Sequence, residues 1–93
     1  MTKPNLTEIY EIISKLKTPQ EVEEFLDAIL TESELSDIFQ RWNIFKRLNQ
    51  KETQRHIAKE LSASLCKITR GAKILKDEKS IIKQILSDKR WRK

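Results

Sequence analysis

A chain of 93 residues with 19 Lys or Arg, 14 Asp or Glu and a net charge of +5 is of single-domain size, and its interior is too small for a lone copy to be more than modestly stable. One glycine, two prolines and 35% charged residues argue against a strand-rich fold, which needs many turn residues, and favour an all-α one. A single cysteine, Cys66, excludes an internal disulfide and fits a reducing compartment. No apolar run approaches ~20 residues, and MTKPNLTEIY has no apolar leader, so the expected location is the cytoplasm, with no membrane partner.

About six helix signals follow in chain order. Asn5 and Glu8 have capping-box spacing ahead of IYEIISKL, where Ile9, Ile12, Ile13 and Leu16 share a face. In TPQE, Thr18 suits an N-cap, Pro19 the first helical position, and Glu21 the reach back to the cap amide. Val22, Phe25, Leu26 and Ile29 then recur at helical spacing. TESE repeats the device with Thr31 and Glu34, opening a long helix that carries Leu35, Ile38, Phe39, Trp42, Phe45 and Leu48. These side chains read as core or dimer interface. NQKE, at 49–52, breaks the pattern, and Thr53 can cap the short helix QRHIAKEL. His56 falls on its exposed side. After SAS, Ser64 can cap LCKITRGAKILK, with Leu65, Ile68, Ile74 and Leu75 on its apolar side and Cys66 partly buried. Asp77 can cap a last helix holding Ile81, Ile82, Ile85 and Leu86. The tail DKRWRK is too charged for firm order.

Charge is divided unevenly along this series. Residues 1–38 hold three lysines against nine acids, net −6, and residues 39–93 hold sixteen Lys or Arg against five acids, net +11. The basic half contains QRHIAKELSASLCKITRGAK, residues 54–73, which fits a helix-turn-helix. Ala58 supplies the small residue that a steep helix crossing requires, and Ile57, Leu61, Ala63 and Ile68 can lock the pair. Glycine is usual at the turn, where this chain has Ser62. Ser64, Lys67, Thr69, Arg70 and Lys73 occupy the exposed side of the second helix, with groups suited to phosphates or base edges. Arg55 can reach a guanine or a phosphate, and Gln54 and Lys76 extend the set at either end of 54–76. Double-stranded DNA is the partner these residues point to. A constitutive DNA-binding module, or a helical adaptor using the acidic half, remain alternatives. One histidine and one cysteine form no metal cluster, and no glycine-rich phosphate loop or nucleophile motif is present, so no catalytic residue is expected.

ILTESELSDIFQRWNIFKRL, followed by TQRHIAKELSASLCKITRGAKILK, resembles the tryptophan repressor family of bacterial transcription regulators. The similarity covers about residues 25–77, and ITRGAK with LK after it is its most specific piece. The resemblance implies an intertwined homodimer whose central helices cross between subunits, with one reading head per subunit. It implies an operator-binding repressor of tryptophan-related genes with L-tryptophan as corepressor, lodged between dimer core and reading head. Thr31 matches the threonine that opens the central helix near this small amino-acid effector. Arg41 matches the arginine that pairs with the ligand carboxylate and covers one indole face, and Arg70 the arginine that covers the other. Gly71 matches the glycine where the ligand approaches the backbone, so a side chain there would fill the pocket. The sequence departs from the family at two nearby positions. Tryptophan-binding members carry a serine near the ligand ammonium where this chain has Ile74, and the best-known members carry a threonine where it has Lys67.

Overall fold

The computed structural model describes residues 3–88. Six α-helices follow one another: α1 (Thr7–Lys15), α2 (Pro19–Ile29), α3 (Glu32–Asn49), α4 (Gln54–Leu61), α5 (Leu65–Lys76) and α6 (Ile81–Ser87). No strand occurs among the described residues, in keeping with the all-α expectation. The chain divides into two compact units, and the boundary falls inside α3, between Leu35 and Ser36.

Most helices start where a short polar side chain satisfies an otherwise orphan amide. Thr31 and Glu34 form a complete capping box: Glu34 N–H donates to Thr31 Oγ1 at 3.1 Å, and Thr31 N–H donates to Glu34 Oε1 at 2.8 Å. Thr18, Thr53 and Ser64 each accept the amide three residues on, from Glu21, His56 and Lys67. Three expectations need correction. Asn5 accepts from Thr7 N–H, and Leu6 caps α1 without a side-chain bond. Glu21 reaches one residue further back, to Lys17 N–H. Ser80, not Asp77, caps α6; the Asp77 carboxylate instead accepts Lys79 N–H in a local turn. In the first and last cases a side chain two residues before an amide competed successfully for it. The tail 88–93 lies outside the described residues beyond Asp88.

In the N-terminal unit, no described residue is fully buried, and Tyr10, Ile12, Ile13 and Ile29 are exposed. The C-terminal unit is built on Ile44 of α3, Ile57 of α4 and Ile68 of α5, with Leu48, Ala58, Leu61 and Ala63 packed around them. Ile57 and Ile68 are 0% exposed. These are the residues whose spacing locks the two-helix pair. Leu65 and Cys66 depart from expectation, since both are exposed. They lie a turn before Ile68 and Thr69 on a helix whose buried line runs through Ile68, Gly71 and Leu75, and 100° steps carry 65 and 66 off that line.

α3 and α4 both end in a left-handed residue with the paired bonds of a Schellman motif. After α4, Ala63 N–H donates to Ala58 O and Ser62 N–H to Lys59 O, with Ser62 at φ 51°. After α3, Glu52 N–H donates to Arg47 O and Lys51 N–H to Leu48 O, with Lys51 at φ 70°. Ser62 thus adopts the geometry for which glycine is usual. A side chain there costs free energy that glycine would not. Ser62→Gly should stabilise the fold by about 0.5–1 kcal/mol, read as a higher urea midpoint at unchanged slope. A lower midpoint would show that the serine hydroxyl outweighs the strain.

Candidate nucleic-acid interface and effector cleft

α5 buries Ile68, Gly71 and Leu75 and turns the opposite side outward. Thr69, Arg70, Lys73 and Lys76 are all exposed on it, with Ser64 at its start. Gln54 and Arg55 are exposed in the first turn of α4. The structure brings Gln54 to α5, where Thr69 Oγ1 and Gln54 Oε1 lie 3.4 Å apart. Ser64 Oγ already accepts Lys67 N–H, which leaves its hydroxyl hydrogen for a phosphate.

The acids of this region are engaged elsewhere. Arg47 Nη1 lies 3.3 Å from Glu60 Oε1 and 3.6 Å from Glu52 Oε1. His56, exposed as expected, has Nε2 3.6 Å from the same Glu52 oxygen. Among the described residues, Arg41, Arg55, Arg70, Lys73 and Lys76 pair with no carboxylate. The exposed face of α5 is therefore positive and uncompensated.

Between α3 and α5 lies a cleft of about 180 Å³ lined by Arg41, Ile44 and Phe45 of α3 and by Lys67, Arg70, Gly71 and Ile74 of α5. Its size admits only a small molecule, below the ~300–1,000 Å³ usual for drug-sized ligands. Three of the four effector residues implied by resemblance, Arg41, Arg70 and Gly71, meet in it. Thr31 belongs to the N-terminal unit, with its hydroxyl on Glu34 N–H. Gly71 has no positive φ, so its backbone does not require glycine. An added Cβ would stand 3.2 Å from Ile44 Cγ2 and 3.3 Å from Leu48 Cδ1. The glycine lets α5 approach α3 as well as opening the cleft.

Gln40 was not among the residues singled out from sequence. Its Nε2 donates to Leu61 O at 3.1 Å, and its Oε1 accepts from Lys67 Nζ at 3.0 Å. One amide thus ties α3 to the end of α4 and to α5. The signal was present: Gln40 lies one turn before Ile44, on the side of α3 that faces the core. Lys67 is exposed, but its ammonium points to this amide at the rim of the cleft.

Two helices locked through Ile57 and Ile68, the second with a basic face that pairs with no carboxylate among the described residues, define a helix-turn-helix protein. Residues 4–90 match the family model described as Trp repressor protein. The chain is 37% identical over 70 residues to the Trp operon repressor homolog of Xylella fastidiosa (strain M23), covering 74% of this chain and 76% of that one. It is 37% identical over 67 residues to the Trp operon repressor homolog of Chlamydia caviae, covering 71% of this chain and 66% of that one. No solved structure matches significantly. The chain belongs to the Trp repressor family.

Proposed function

We propose that this protein is a dimeric transcriptional repressor that inserts α5 into the major groove of an operator and is regulated by a small effector in the α3–α5 cleft. The observation that carries the reading is the exposed face of α5, where Arg70 and Lys73 have no carboxylate partner among the described residues while Glu52 and Glu60 are held by Arg47. Such cations supply the salt-dependent attraction to phosphate on which DNA binding rests. The dimer is supported by exposed apolar side chains: Ile38, Phe39 and Trp42 lie along α3, with Phe39 71% exposed. A patch of this kind on so small a chain is stabilised by a second copy.

L-tryptophan is the effector that family membership implies. Arg41 and Arg70 can pair with its carboxylate and stack on its ring. Bound there, it would favour the pose of 54–76 that fits successive grooves, and its effect equals its differential affinity for the two poses. The test is a titration of duplexes selected by the protein from a random-sequence pool, with and without L-tryptophan. We expect salt-sensitive binding that L-tryptophan tightens by roughly 5–150-fold. Binding that ignores L-tryptophan would favour a ligand-independent regulator, a reading to which Ile74 in the cleft lends support. No duplex binding at low salt would leave the adaptor reading.

A further inference from the structure

Gln40 is half-buried on α3, one turn before the core residue Ile44, and both ends of its amide are used across the head. Its Nε2 donates to Leu61 O at 3.1 Å. Leu61 ends α4, so its carbonyl has no partner within the helix, and the bonds that close the turn go to Ala58 O and Lys59 O instead. Gln40 Oε1 accepts from Lys67 Nζ at 3.0 Å, in the first turn of α5. These partners fix the amide's orientation: turned over, its NH2 would face an ammonium and its oxygen a carbonyl. One neutral side chain therefore grips the end of α4 and the start of α5, on either side of the left-handed Ser62. All of these residues lie in the C-terminal unit. The packing of Ile44 with Ile57 and Ile68 also joins α3 to the head, but apolar packing is non-directional, whereas hydrogen bonds from both ends of one planar group restrict rotation.

We propose that Gln40 is a positioning residue for DNA binding: it braces the two-helix head on α3 with no effector present, and so holds the two heads of a dimer at a set separation. This rests on the dimeric DNA-binding reading and is independent of any effector.

The test compares the full wild-type chain with Gln40→Leu, which is similar in size, leaves the net charge unchanged and loses both bonds. Without effector, duplex binding should weaken by roughly five- to tenfold, at the salt slope of the wild type, because no cation has been removed. Cys66 is free and exposed and is the only cysteine, so it takes one spin label per protomer. The distance between labels in the wild-type dimer, measured off DNA, should be narrowly distributed and should broaden in Gln40→Leu. Gln40→Glu, which keeps an acceptor for Lys67 Nζ, should give an intermediate width. Circular dichroism verifies folding, and if Gln40→Leu does not fold, Gln40→Glu carries the distance comparison. Unchanged affinity and an unchanged distance distribution in a folded variant would overturn the brace while leaving DNA binding in place. Tighter binding with a steeper slope would also overturn it, by showing that Gln40 withholds Lys67 from phosphate. No duplex binding by the wild type would remove the DNA-binding reading, no coupling between labels would remove the dimer, and the proposal falls with either.

Discussion

Ile68→Ala should be the most damaging single truncation in α5. Ile68 is 0% exposed and packs with Ile57 and Ile44 in the small core that holds the two-helix head together. Removing a buried isoleucine to alanine costs about 2–5 kcal/mol, because the lost transfer energy is joined by a cavity that the surroundings fill only partly. Against a total stability of about 5–15 kcal/mol, that is a large fraction. The melting temperature should fall by about 10 °C or more. Leu65→Ala on the same helix is the control, since Leu65 is 53% exposed. Its cost should stay within about 0.5 kcal/mol. Equal losses at the two positions would mean that the core of the head is misplaced.

Arg70→Ala and Lys73→Ala should weaken duplex binding but part company on the effector. Both cations face outward from α5 with no carboxylate partner among the described residues, so each removal should cost roughly tenfold in affinity. Arg70 also lines the cleft and Lys73 does not. Arg70→Ala should therefore abolish heat with L-tryptophan as well, whereas Lys73→Ala should bind it as the wild type does. The check is calorimetry beside fluorescence anisotropy on the same preparations. Loss of effector binding in both variants would show that α5 had been disturbed as a whole.

The helices were readable because their starts are written locally. Thr18, Thr31, Thr53 and Ser64 each cap the helix that follows, and apolar residues then recur every three or four positions. Local signals fail where two neighbouring polar residues could each cap the same helix, as Asp77 and Ser80 show: Ser80 takes Ile82 N–H and caps α6, while Asp77 takes Lys79 N–H in the turn before it. They also fail at the edge of an apolar stripe, where Leu65 lies outside a line set by Ile68, Gly71 and Leu75. The head itself was legible in Ile57, Ala58 and Ile68, whose contacts are close in sequence. Its turn kept the left-handed backbone despite the serine at 62. The cleft was less so, because it depends on α3 meeting α5. Arg41, Arg70 and Gly71 are legible only through family likeness. The packing of Gly71 against Ile44 and Leu48, and the tie from Gln40 to Lys67, needed the three-dimensional structure. No pattern within one helix records which residue of another will lie across from it.

The most direct measurement is the salt dependence of duplex affinity for the wild type and Lys73→Ala. If α5 lies in the groove with Lys73 on a phosphate, the logarithm of the wild-type association constant falls steeply against that of salt concentration. The Lys73→Ala slope is then shallower by about 0.9 for each protomer bound. Identical slopes and affinities for the two proteins would contradict the placement of α5 against DNA.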